Sequence, residues 1–185
     1  MRRTILLAAL ATVSICLGRG EARIPGPAIV QVGANYELVL PDAMATAIQR
    51  AVPGFRVETL ASYDADIQKY YKCTSRQAPW AVVGDFDGDG VQDLVVDGYV
   101  GDRCHRLCVW GATTDVDTIL GQVGDRQGRP FHSVLMYAPP GEQSTNFSDD
   151  VVFIFADAYV HYIFERAGST WYWKDGRWNE FGSSD

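Results

Sequence analysis

The feature that most constrains the fold of this chain is an acidic run set between two apolar ones. Ala81-Val82-Val83 leads into Asp85-Phe86-Asp87-Gly88-Asp89-Gly90-Val91-Gln92-Asp93, and Leu94-Val95-Val96 follows. Short β-branched runs on either side of an Asp/Gly-rich stretch read as two strands joined by a turn. Aspartates stand at alternate positions 85, 87 and 89, with a fourth at 93. Alternate residues of a tightly turned loop aim their carboxylates to one side, and Gly90 permits a turn that a β-carbon would hinder. Asp and Gly are also ordinary turn formers, so a solvated acidic turn is the simpler alternative. Four carboxylates this close repel one another without a cation, which favours an ion.

A hard dication needs six to eight oxygens around it. Asp85, Asp87 and Asp89 offer carboxylates, Val91 its backbone carbonyl, and Asp93 can close the shell. Calcium is expected over magnesium, which keeps its waters and rarely uses an all-protein cage. The loop is not an EF-hand: the bidentate Glu required at the twelfth position is Val96 here, and the flanks are strands. The segment Gly84 to Val96 closely resembles the calcium loop of FG-GAP repeats, the blades of integrin-type β-propellers, also found in bacterial VCBS-type repeats. The resemblance implies calcium ligation by Asp85, Asp87, Asp89, the Val91 carbonyl and Asp93. The motif occurs once, whereas a propeller needs at least four blades, so a full propeller is not expected. The whole chain is also similar to small exported bacterial proteins that pair such a loop with a terminal aromatic-Lys-Asp-Gly hairpin, here Tyr172 to Phe181.

Around the loop the expected fold is α+β: a mostly antiparallel sheet with one or two N-terminal helices and a C-terminal hairpin. Residues 23–35 read as an extended lead-in. Pro41 opens a helix over Asp42 to Ala51, where Met44, Ala47, Ile48 and Ala51 recur at helical spacing. A strand over Phe55 to Leu60 and a short helix over Asp64 to Tyr71 follow. Arg106 to Trp110, Phe131 to Tyr137, Val151 to Phe155 and Tyr159 to Phe164 read as strands, and Pro139 to Asp150 as a polar loop. At the end, Asp175-Gly176 suits a two-residue type I′ turn, which sets Trp173 opposite Trp178. No boundary divides residues 23–185, which are expected to form one domain.

The N-terminus is expected to be a signal peptide over residues 1–22: Arg2-Arg3, then an apolar stretch from Ile5 to Leu17, then Gly20-Glu21-Ala22 before a new start at Arg23. The apolar stretch is short for a membrane span. Its removal takes basic residues from 16 to 13 and acidic ones from 23 to 22, so the charge moves from -7 to -9. That balance argues against nucleic-acid binding, which rests on neutralising phosphates. With no second long apolar segment, a soluble periplasmic or secreted protein is expected. In an oxidising compartment Cys73 is expected to pair with Cys104 or Cys108, which are too far apart along one strand to bridge each other. Cys104-His105-x-x-Cys108 matches no closed zinc site.

An enzyme needs convergent groups. His105, His132 and His161 are isolated in sequence, and no nucleophile, zinc or nucleotide signature accompanies them. Asp149-Asp150 could join the loop aspartates as a carboxylate pair, which keeps a calcium-dependent hydrolase as the alternative. Trp171, Trp173 and Trp178 fit a ligand platform or, preferably, core packing. The expectation is an exported calcium-binding protein, more an interaction module than an enzyme, with its protein or glycan ligand open.

Overall fold

The computed structural model describes residues 26–120, 133–145, 148–163 and 167–183. The expected signal peptide, Phe131 and His132 lie outside them. The chain runs β1 (Ala28–Val32), β2 (Asn35–Val39), α1 (Asp42–Ala51), β3 (Arg56–Val57), α2 (Ala65–Tyr70), β4 (Gln77–Ala78), β5 (Ala81–Gly84), β6 (Asp93–Val100), β7 (Arg103–Val109) and β8 (Val116–Leu120). It continues through β9 (Ser133–Ala138), β10 (Gly141–Thr145), β11 (Ser148–Ile154), β12 (Ala158–Ile163), β13 (Ala167–Lys174) and β14 (Arg177–Ser183).

This corrects the α+β class. Strand accounts for 53% of the structure and helix for 14%, spread over several sheets. The described chain opens on strands, not helices: the stretch read as a lead-in is the antiparallel β1–β2 hairpin, turning at Gly33 with φ of 62°. The expected strand over Phe55 to Leu60 keeps ladder pairing only at Arg56 and Val57. The stretch read as a polar loop from Pro139 pairs instead as β10 with β11. Helical periodicity is confined to short segments such as α1, where Met44, Ala47 and Ile48 are buried. In α2 the Asp64 side chain caps the helix by accepting from the Ile67 N–H at 2.9 Å.

Two antiparallel sheets form the body. One has the order β4-β5-β6-β7-β8, with β3 added on β6, and the other the order β14-β13-β12-β9. Strand alternation gives the first sheet two buried faces. Leu94, Val96, Leu107 and Val109 pack on one side with Ile48, Phe55 and Ile67. Val82, Val95 and Cys108 pack on the other with Leu135 and Tyr159 of the second sheet. The β9 edge ties the sheets together: Leu135 N–H donates to the Pro79 carbonyl at 2.9 Å, and Tyr137 N–H to Gln77 Oε1 at 2.8 Å. The outer face of the second sheet packs against the β10–β11 hairpin through Ala138, Ile154 and Ala158. In β13–β14, Trp173 lies opposite Trp178, and Asp175 and Gly176 take φ of 54° and 73°.

The expected Cys73 disulfide is not formed. Among the described residues, no bridge joins Cys73, Cys104 and Cys108. Cys108 packs in the layer between the sheets, and Cys104, four residues before it on β7, shares its side of that strand. Cys73 packs against the core on the opposite side of the first sheet. Among the described residues, no helix is long and apolar enough to cross a membrane.

Candidate metal centre

The ladder between β5 and β6 ends at the pair Gly84 and Asp93, and residues 85–92 form the tip. Gly88 and Gly90 have φ of 80° and 85°, values that a side chain resists. These turns let the loop wrap its own backbone around its carboxylates. Asp85 accepts from the N–H of Gly88 at 2.8 Å and of Gly90 at 2.9 Å. Asp87 accepts from Asp89 N–H at 3.1 Å, and Asp89 from Val91 N–H at 2.7 Å. The result gathers the three alternate aspartates: each offers a carboxylate oxygen, and these oxygens lie within 4.8 Å of one another. Asp85 is half-buried, and Asp87 and Asp89 are exposed. Burial raises the Asp87 carboxyl above its ordinary range, and the charges of Asp89 and Asp85 add to the rise.

Asp93 occupies a different position. It is 1% exposed, and its two oxygens accept from Phe86 N–H at 2.9 Å and Gly111 N–H at 2.7 Å. Burial pushes its carboxyl up to about 7, against the pull of those two donors and with help from Asp87 and Asp89. Its carboxylate therefore closes the base of the loop, behind the cluster. Val91 sits at the loop exit with its side chain partly exposed. Phe86 points the other way from the aspartates and is fully buried, its ring 5.7 Å from Trp178 and 6.5 Å from Tyr159. One residue of the loop thus belongs to the core between the sheets.

Three residues beside the loop were not singled out from the sequence. Asp157, buried in the turn before β12, accepts from Asp85 N–H at 2.9 Å, and its own N–H donates to the Asp85 carbonyl at 2.9 Å. Tyr137 Oη donates to the second Asp157 oxygen at 2.6 Å. Burial and Asp157 push the Tyr137 hydroxyl up to about 12, so it stays a donor. Arg76 reaches Asp157 at 3.3 Å and also donates to Tyr137. A cleft of about 800 Å³ adjoins the loop here, lined in part by Met44, Arg76, Asp85, Val91, Gln92 and Asp157.

The oxygen-only donor set of Asp85, Asp87 and Asp89 fits a hard dication, and carboxylates repelling at this range are what such an ion relieves. Trp171, Trp173 and Trp178 pack against the inter-sheet core, with Trp173 4.6 Å from Trp110 and 5.6 Å from Trp178. His105 on β7 and His161 on β12 do not join the loop, and the side chains of Asp149 and Asp150 lie outside those described. No protein-family model, curated protein or solved structure matches this chain.

Proposed function

We propose that this chain is an exported calcium-binding protein whose ion is structural, holding the β5–β6 tip of a small interaction module. The observation that carries the reading is the convergence of Asp85, Asp87 and Asp89 at that tip. The resemblance of Gly84 to Val96 to an FG-GAP calcium loop names the ion and adds the Val91 carbonyl and Asp93 as ligands. Export rests on the order of basic, apolar and small residues over positions 1–22.

Calcium titration followed by melting and calorimetry tests this. Extracellular calcium modules bind at about 10⁻⁴ to 10⁻³ M. At a hundredfold excess over Kd, an ion that binds only the native state adds about 2.7 kcal/mol. Asp87→Asn abolishes that gain. In EDTA the same variant melts slightly higher: a carboxyl raised in the native state costs stability as pH climbs through its native pKa, and a neutral amide escapes that loss. If millimolar calcium leaves melting unchanged and calorimetry finds no heat, the loop is only an acidic turn.

The cleft beside the loop favours a second reading, a calcium-dependent hydrolase acting on an extracellular substrate. Hydrolysis of ester, glycoside or peptide panels in calcium but not in EDTA supports it, and no turnover on any panel removes it.

A further inference from the structure

Among the described residues, Arg76 is the one basic side chain that lines the cleft beside the acidic loop. Its backbone is tied to the first sheet, where Val83 N–H donates to the Arg76 carbonyl at 2.9 Å. Its head is fixed as well. The guanidinium carbon lies 4.6 Å from the centre of the Tyr137 ring, and Nη1 donates to Tyr137 Oη and, at 3.3 Å, to Asp157. Nε and Nη2 form no hydrogen bond among the described residues, and the side chain is 45% exposed. Arg76 is thus anchored through one nitrogen and leaves the rest of its fork to the cleft.

The acidic groups in the same walls are already engaged. Asp157 accepts from Asp85 N–H and Arg76 on one oxygen and from Tyr137 Oη on the other. Asp85 spends its two oxygens on the N–H groups of Gly88 and Gly90. Spent acceptors beside unspent donors select a ligand that accepts. A planar guanidinium with two free N–H groups matches a carboxylate, which takes both at once. The remaining surface is of another kind, because Pro41, Ala43, Met44, Val91 and Ala112 give the cleft an apolar side. Its volume of about 800 Å³ exceeds what a lone carboxylate fills and matches the site of a small organic molecule. Thr114 also lines it, with φ of 60°, a value that a β-branched residue resists. Such strain gathers at binding sites, where the surrounding structure holds it in place.

We propose that this cleft binds a small organic carboxylate with an apolar body, its carboxylate held by Nε and Nη2 of Arg76 and its body lying along Pro41, Met44 and Val91. The site stands on Arg76 and not on the proposed ion, although calcium would weaken the acidic field of Asp87 and Asp89 that an anion meets on entry. Asp157 then has two tasks, fixing Arg76 for the ligand and Asp85 for the loop.

Calorimetric titration of the whole protein with octanoate and with N-acetylleucine tests the site, each acid set against its uncharged amide. Octanoate stands for a fatty acid and N-acetylleucine for a peptide C-terminus, so the tighter of the two names the source. At least one acid should bind saturably, and about tenfold or more tighter than its amide, the worth of one charge-assisted pair. That preference should hold in EDTA as in calcium, so a failure of the calcium reading would leave it standing. Arg76→Gln should remove the preference, and Arg76→Lys, which keeps the charge but not the fork, should remove most of it. Ala112 is exposed in the β7–β8 turn. Ala112→Trp should therefore block the acids by filling the cleft while Arg76 stays intact, which keeps the test decisive if Arg76→Gln unfolds. Failure of both acids to bind, equal binding of acid and amide, or acid binding untouched by Ala112→Trp would overturn the proposal.

Discussion

His161 shows how far burial can move a single side chain. Burial, with Arg106 adding to it and Asp97 opposing, lowers its pKa from 6.5 to about 4. Tyr159, its neighbour on the same face, adds no charge near neutral pH, because burial raises its hydroxyl above the usual range. A histidine lowered in the native state contributes stability that is fully present above pH 6.5 and is lost as pH falls towards 4. At about 1.4 kcal/mol per pH unit, the loss reaches at most about 3 kcal/mol. In urea titrations, His161→Gln should therefore lose less stability than the parent protein between pH 6.5 and pH 4. An equal loss in the two proteins would assign the acid sensitivity to other groups. Nothing near His161 in sequence announces this, because its charged neighbours sit on β6 and β7.

The β5–β6 hairpin was the most legible element, and the reason is its locality. Asp85, Asp87 and Asp89 lie within five positions of one another, so spacing alone sets their convergence. The β13–β14 hairpin was legible for the same reason, because Asp175-Gly176 encodes its turn and its register. What holds the acidic loop from outside was not legible. Asp157 lies 72 positions from Asp85, and Arg76 lies 81 from Asp157. Gly111 belongs to this hidden set. A β-carbon there would overlap the Gln92 carbonyl and lie 2.8 Å from Val91 Cγ1, so the chain can bring the Gly111 N–H to Asp93 only without one. Gly111→Ala should destabilise the protein by about 1 to 3 kcal/mol and weaken calcium binding measured by calorimetry. Unchanged calcium affinity in a folded variant would separate Asp93 from the ion.

At the scale of the molecule, the sequence signalled β structure from Trp80 onward but misjudged the opening and the class. β1 and β2 are five residues each, broken by Gly33 and preceded by Pro25 and Pro27, so alternation has little length in which to show. The thiols failed for a global reason. Residue parity puts Cys104 and Cys108 on one side of β7, but only the assembled sheet reveals that Cys73 packs on the other. Under denaturation, thiol counting should find all three free. In the native state Cys73 should react first and slowly, since it is only partly covered and its thiol is raised by burial. Two thiols protected by oxidation would show that a bridge forms after all.

The clasp between Asp85 and Asp157 has a bearing on when the proposed ion would enter during folding. The clasp closes only after 72 positions of intervening chain have been gathered in, and such long closures come late and slowly. Before then the acidic tip lacks Asp157 on one side and the seat of Phe86 on the other. A peptide of residues 81–96 should accordingly bind calcium much more weakly than the whole protein. In stopped-flow measurements, calcium should slow unfolding and leave the refolding rate nearly unchanged, the mark of contacts made after the transition state. Refolding accelerated by calcium would mean that the tip organises itself first and the rest of the chain assembles on it.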